Sequence, residues 1–305
     1  MGTFLALVGP TASGKTEAGL RVAEALGAEI LSIDSMVVYR GMDVGTAKPT
    51  EAQRARVPHH LLDLVDPSEP FSVAAFQAAA RTAADDVRRR GRRPILVGGS
   101  GLYFRAVVDD LEFPGTEPRT RGALEEEAAL LGAERMHGRL SEMDPVAASR
   151  IEPGNVRRTV RALEVAAITG RPFSSYAAAW ESYREDRVRA AGIRVEPGRL
   201  GARVEARVHS MLREGWLAEV DRLVDRGFGA WLTSTQAIGY AELARHQAGE
   251  LSLEDAVRQI VKRTRTLARR QMAWFRRDPR IRWFEVGDEG AVAAADDIVA
   301  YLERA

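Results

Sequence analysis

The chain has 305 residues, about two domains' worth, with 45% hydrophobic and 29% charged residues, the balance of an ordinary globular protein. Formal net charge is +1, so any nucleic-acid surface must come from local clustering of charge. There are no cysteines, which excludes disulfides, thiolate catalysis, zinc fingers and iron–sulfur clusters.

No stretch reaches the ~18 consecutive apolar residues of a membrane span. The apolar run at the N-terminus is too short for a signal peptide, so the cytoplasm is the expected compartment. The basic residues are nearly all arginine, with only Lys15, Lys48 and Lys262 as lysines. Arginine suits phosphate and base edges, although coding bias produces the same skew.

Thr3–Val8 reads as a buried strand, and Gly14–Leu26 as the helix after it. Glu29–Ile33 is a second apolar strand, ending at Asp34. Residues 35–70 are rich in Gly, Pro, Asp and His and read mostly as loop. Phe71–Arg90 has helical spacing (Phe71, Ala75, Ala79, Ala83, Val87) and stops at Gly91. Arg93–Val97 is a third strand, followed by "GGSG" and a helix from about Leu102. Strand–loop–helix in repetition predicts a parallel sheet with helices on its faces. From Phe113 to about Glu185 no strand is expected. Helices are expected there at 120–131, 144–151, 154–169 and 173–182, which reads as a helical insertion. Strand character returns at Ala191–Val195, "AGIRV". Helices at 198–226, 234–246 and 252–276 follow, then a strand at Ile281–Glu285 and a helix at 290–303.

The turn after the first strand is "GPTASGKT", which meets the pattern G-x-x-x-x-G-K-[ST] with Gly9, Gly14, Lys15 and Thr16. Its glycines let backbone N–H groups curl around phosphate oxygens, and the following helix points its positive end at the same place. Lys15 adds a formal charge, and the Thr16 hydroxyl suits Mg²⁺. Most chains with this loop bind ATP or GTP, but the loop does not name its ligand. The third strand ends in Val97-Gly98-Gly99-Ser100-Gly101, without an acid. The strand-end carboxylate is Asp34. In a parallel sheet the carboxyl ends of the strands open on one crevice, so Asp34 is expected near the loop, as a magnesium ligand, a general base or simply a turn aspartate.

Ala256–Arg277 contains no acidic residue and carries Arg258, Lys262, Arg263, Arg265, Arg269, Arg270, Arg276 and Arg277. One-signed charge interleaved with Trp274 and Phe275 fits a nucleic-acid backbone, though either aromatic could be core. Arg157, Arg158 and Arg161 form a second basic cluster. Arg203 and Arg207 lie four apart on one helix face and could neutralise a phosphate leaving group, or else pair with Glu205. His59 and His60 have no third ligand at metal spacing, so no zinc site is expected. A small-molecule kinase would explain the loop and Asp34 but not the basic tail. An RNA-binding NTPase would explain the arginines but not "DSMVVYRGMDVGTAKP".

Seven separated blocks resemble one family, the tRNA dimethylallyltransferases (tRNA isopentenyltransferases) of bacterial type. They are "GPTASGKT" (9–16), "DSMVVYRGMDVGTAKP" (34–49), "PHHLLDLVDPSEPFSVAAF" (58–76), "GGSGLYFRA" (98–106), "DPVAASRIEPGNVRRTVRALEV" (144–165), "QAIGYAEL" (236–243) and "TRTLARRQMAWFRRD" (264–278). They run nearly the length of the chain in the family's order. The resemblance implies an α/β fold: a P-loop NTPase-like parallel sheet flanked by helices over 1–112 and 186–305, with a helical insertion domain contacting tRNA over 113–185. It implies transfer of a dimethylallyl group from dimethylallyl diphosphate to the N6 amine of the adenosine at tRNA position 37, beside the anticodon, with Mg²⁺.

Carried over by motif, Gly9, Pro10, Thr11, Ala12, Ser13, Gly14, Lys15 and Thr16 would hold the donor, with Thr16 on the metal. Asp34 would be the general base, and Arg207 would bind the diphosphate with Lys15. Asp34, Ser35, Met36 and Val37, with Ser100 and Arg121, would touch tRNA. So would Arg157, Arg158, Thr159, Val160 and Arg161, then Gln236, Ala237, Ile238, Gly239, Tyr240 and Ala241. Arg269, Arg270, Gln271, Met272, Ala273, Trp274, Phe275 and Arg276 complete the set. Val37 stands where the family often has Gln, Ser100 where it has Thr, Leu267 where it has an aromatic and Arg269 where it has Lys. The implied partners are tRNA and the donor, with no membrane, and a monomer is expected.

Overall fold

A computed structural model describes residues 3–109 and 111–304. In chain order its elements begin with β1 (Phe4–Val8), α1 (Lys15–Leu26), β2 (Ala28–Ile33), α2 (Glu51–Arg56), β3 (His59–His60), α3 (Val73–Arg89), β4 (Arg93–Gly98) and α4 (Gly101–Val108). There follow α5 (Pro118–Leu131), α6 (Ala133–Met143), α7 (Pro145–Arg150), α8 (Val156–Thr169), α9 (Ala178–Glu181) and β5 (Val188–Val195). The chain closes with α10 (Pro197–Arg213), α11 (Trp216–Val224), α12 (Tyr240–Gln247), α13 (Leu253–Phe275), β6 (Ile281–Val286) and α14 (Ala295–Glu303).

The contacts divide the chain into two compact units, 1–108 with 184–305, and 109–183. The first holds a six-stranded sheet in the order β3-β2-β4-β1-β5-β6, parallel at every pairing. Every residue of β1 and β2 is buried, as expected of strands covered by helices on both faces. From β1 the chain crosses to β2 on one side, whereas β5 and β6 lie on the other. The strand order therefore reverses at β1, and the crevice of such a sheet opens at the carboxyl end of that strand.

The second unit is helical and has its own core. Leu124 and Ala128 of α5, Met136 and Leu140 of α6, and Val160 and Leu163 of α8 pack together. A buried carboxylate, Glu164, accepts from the Glu117 N–H and from both Arg121 and Arg161.

Several helices differ from the sequence expectation. The helix expected over 173–182 is a 3-10 turn at Phe173–Tyr176 and the four-residue α9. The one expected over 234–246 is a 3-10 turn at Ser234–Gln236 followed by α12. The single helix expected over 198–226 is α10 and α11, broken at Gly215 in the left-handed region with φ 97°. Such a φ is unstrained only for glycine, and the chain turns there. Helix α6 was not expected at all. Its only buried residues are Met136 and Leu140, with Gly138 inside the helix, so the helix forms by packing those two side chains into the local core, not by propensity. The 35–70 segment is loop apart from α2 and the two-residue β3.

Candidate active site

The loop Gly9–Thr16 leaves β1 and enters α1. Ala12 and Gly14 are both left-handed, with φ 61° and 87°. Alternation of left- and right-handed residues turns successive N–H groups to one side, the geometry of an anion nest. Lys15 Nζ donates to the Pro10 carbonyl at 3.0 Å. Ser13 is fully buried, and its Oγ has no hydrogen-bond partner. The Thr11 N–H donates to Oε1 of Gln271 at 2.8 Å, which ties the loop to α13.

Lys15 and Arg207 from α10 come together at this loop, with Asp34 beside them. The Lys15 ammonium is pushed down to about 8, first by burial and then by the Arg207 charge, with Asp34 opposing. Burial also lowers Arg207, again against the pull of Asp34. Two cations held close without a full counter-charge attract an anion. Ala12, Gly14, Arg203, Arg207, Gly290 and Ala291 line a cavity of about 300 Å³ at the same place. Arg203 is oriented by its bond to the Gly287 carbonyl at 3.0 Å; Glu205 pairs instead with Arg265.

Asp34 follows the last residue of β2. Its Oδ1 accepts the Met36 N–H at 2.9 Å, so the turn role is real, and the second carboxylate oxygen has no protein donor among the described residues. The Ser100 N–H donates to the Ile33 carbonyl at 3.1 Å, bringing the turn after β4 against the residue before Asp34. Ser100 Oγ accepts the Tyr103 N–H. The Tyr103 ring stacks on Phe76 with centroids 3.7 Å apart. Its phenol is raised well above the ordinary tyrosine value, by burial first and then by Tyr39 and Asp34. Ser35 and Met36 are half-buried, whereas Val37 is buried. A side chain at position 37 here fills space; an amide would need a buried partner.

The basic tail is sorted by tertiary contacts. Arg258 pairs with Glu254 and Asp255, Arg263 with Glu242, and Arg265 with Glu205. Among the described residues Lys262, Arg269, Arg270, Arg276 and Arg277 have no carboxylate partner and lie exposed. Phe275 is fully buried, edge-on to Phe104 at 5.9 Å, so it is core. Trp274 is 40% exposed, and its indole lies over Gly101. A Cβ on Gly101 would come 1.9 Å from the ring, so only glycine admits this approach. Arg269, Arg270 and Ala273 are exposed, Met272 half-buried.

Other expected contact residues are internal. Tyr240 is fully buried and its hydroxyl donates to Glu219 at 2.6 Å, while Ala237 and Gly239 are buried and Ile238 and Ala241 half-buried. Only Gln236 of that block is exposed. In the helical unit Thr159 and Val160 are buried and the Arg121 and Arg161 side chains are committed to Glu164, whereas Arg157 and Arg158 lie exposed at the start of α8. Burial works against the Glu164 charge, but the two arginines outweigh it and hold the carboxyl below its usual range.

Sequence reasoning missed Lys48 and Glu219, both buried beside the segment that follows Asp34. The available signal was that Lys48 is one of three lysines in an arginine-rich chain. A compact ammonium in a small pocket is one task that guanidinium cannot take over.

A glycine loop on a helix N-terminus, two cations and a carboxylate at the carboxyl edge of a parallel sheet define a P-loop-type phosphate-site protein. The family model described as IPP transferase matches residues 37–278, and that described as Isopentenyl transferase matches residues 2–64. A tRNA dimethylallyltransferase of Desulforudis audaxviator is 46% identical, over 99% of this chain and 98% of its own. One of Salinispora tropica is 47% identical, over 99% and 94%. The crystal structure of tRNA isopentenylpyrophosphate transferase from Bacillus halodurans superposes with TM-score 0.70 at 39% identity, over 100% of this chain and 98% of its own. The chain belongs to the IPP transferase family.

Proposed function

We propose that this protein is a tRNA dimethylallyltransferase, moving a dimethylallyl group from its diphosphate to N6 of the adenosine at position 37 of tRNA. The observation that carries the reading is the gathering of Lys15 and Arg207 at the loop nest, within electrostatic reach of a carboxylate whose second oxygen has no protein donor among the described residues. The donor's diphosphate lies in the nest, and the cations take up charge as the carbon–oxygen bond breaks. The exocyclic amine is a weak nucleophile, because its lone pair is conjugated into the ring. As the carbon–nitrogen bond forms, Asp34 accepts the amine proton. The target base leaves its stack to reach this crevice, at low cost in an RNA loop.

The Thr16 hydroxyl is exposed in the first turn of α1, where it fits one ligand position of Mg²⁺. No group of three acidic or histidine side chains able to hold a metal exists among the described residues. Most of the ion's ligands would then be diphosphate oxygens and water, its usual preference. Bound there, Mg²⁺ supplies further charge neutralisation to the leaving diphosphate. Arg269, Arg270 and Arg276 face the RNA backbone, with Trp274 beside them, and Arg157 and Arg158 do the same from the helical unit. The protein works as a cytoplasmic monomer. No described helix is long and apolar enough to cross a membrane.

Incubation with unmodified tRNA and dimethylallyl diphosphate is expected to add one prenyl mass to one adenosine and release diphosphate. Asp34→Asn should lower turnover by roughly 10²–10⁴-fold with tRNA affinity nearly unchanged. No mass gain with the wild-type chain, or turnover of the variant within about tenfold, would overturn the reading.

A further inference from the structure

The segment after Asp34 is held by two buried charges for which the chemistry above has no use. Lys48 has a side chain only 1% exposed. Its ammonium has three donors, and all are spent: on the Tyr39 carbonyl at 2.8 Å, on Asp63 Oδ1 at 2.6 Å and on Asp43 Oδ1. Arg54 approaches the other oxygen of Asp63 at 3.4 Å and balances the second carboxylate. The far end of the segment is gripped from α11. The N–H groups of Asp43 and Val44 donate to Glu219 at 2.8 Å, that of Gly45 at 3.2 Å, and the Tyr240 hydroxyl at 2.6 Å.

Three hydrogen bonds, joined through the backbone of Tyr39 and Met36, link Lys48 to the carboxylate. Lys48 donates to the Tyr39 carbonyl, the Tyr39 N–H to the Met36 carbonyl at 3.3 Å, and the Met36 N–H to Asp34 Oδ1 at 2.9 Å. We propose that Lys48 is a positioning residue for Asp34, acting through these bonds to aim the free carboxylate oxygen at the incoming amine. The proposal rests on the reading of Asp34 as the general base. Val37 and Val38 are also held by backbone bonds, their carbonyls accepting from the Asp63 and Val65 N–H groups. Loss of Lys48 therefore loosens the aim of the segment without releasing it. The P-loop, Lys15 and Arg207 stand on other elements, so the donor site is left as it is.

The test is a double-mutant cycle read by single-turnover transfer to tRNA. Lys48→Met should lower the rate roughly 10–100-fold, the scale of a misplacement near 1 Å, with the dissociation constant for dimethylallyl diphosphate changed by less than about twofold. In the Asp34→Asn background, where the amide oxygen still accepts the Met36 N–H but no base is present, Lys48→Met should cost less than about twofold. A Val87→Ala chain, destabilised at a buried residue of α3 whose carbonyl accepts the Arg92 N–H just before β4, should lose no comparable rate. Equal losses in both backgrounds, or a matching loss in Val87→Ala, would reduce Lys48 to a folding role and overturn the proposal. Should Lys48→Met not fold, Asp63→Asn takes its place in the same cycle; its side chain is 34% exposed, and a loss of roughly 3–10-fold that vanishes in Asp34→Asn is expected. If the wild-type chain transfers nothing to tRNA, the functional reading fails. If it transfers and the cycle is additive, only the role of Lys48 fails.

Discussion

At the scale of the residue, the loop is poised by its own charges. Lys15 titrates near 8 because burial and Arg207 disfavour its charged form. It is an ammonium below that pH and largely neutral above it. A diphosphate stabilises the ammonium, so binding at higher pH must draw in a proton. Donor affinity is therefore expected to fall as pH rises through about 8 and on to 10, by up to tenfold per unit. Titration of dimethylallyl diphosphate from pH 7 to 9.5 checks this. A Lys15→Met chain should bind more weakly at pH 7 and lose the slope; a wild-type affinity flat across this range would refute the account. Asp34 shows the complementary design. One oxygen is spent on the Met36 N–H, which fixes the carboxyl's direction, and the other has no protein donor among the described residues.

At the scale of the element, α13 joins the basic surface to the glycine loop. Its Gln271 accepts the Thr11 N–H, Phe275 anchors it in the core against Phe104, and Trp274 lies over Gly101 at the start of α4. The three side chains are spaced three or four residues or one apart, so one face and its edge reach the sheet while the arginines are left outside. Gly101→Ala would place a methyl group inside the indole. The change is expected to lower stability by about 1–3 kcal/mol, as overpacking does, and to shift tryptophan emission as Trp274 is displaced. Urea unfolding followed by fluorescence measures both. An unchanged midpoint and spectrum would show that the helix does not depend on this contact.

At the scale of the whole molecule, a nearly neutral chain meets a polyanion. With a net charge of +1, attraction to RNA must be local. Among the described residues, the pairing of Arg258, Arg263 and Arg265 with acids leaves Lys262 unpaired and gathers the rest of the unpaired charge at the C-terminal half of α13 and just beyond. Reversal of charge there, Arg270→Glu with Arg276→Glu, is expected to weaken tRNA binding at low salt and to reduce the slope of log affinity against log salt by about one per lost phosphate contact. Dimethylallyl diphosphate binding should be unaffected. Filter binding across a salt series is the measurement, and an unchanged slope would remove these arginines from the RNA surface.

The amino-acid sequence by itself determined five of the six strands as parallel with helices between them, the phosphate loop and the strand-end aspartate. These follow from periodicity over short windows and from residues adjacent in the chain. It did not determine the two-residue β3 or the order of strands in the sheet. Tertiary structure alone decided which charges are free and which side chains hold the site. Gln271 reaches Thr11 across 260 positions, and Glu219 reaches Asp43 across 176. Phe275 and Trp274 are neighbours in sequence, yet one is core and the other surface, because a helix turns about 100° per residue. Arg121, Arg161 and Tyr240 carry the residue types of a binding surface, but a buried carboxylate claims each of them, Glu164 in one unit and Glu219 in the other. A buried charge must find its partner wherever the fold supplies one, and no local pattern in the chain records that choice.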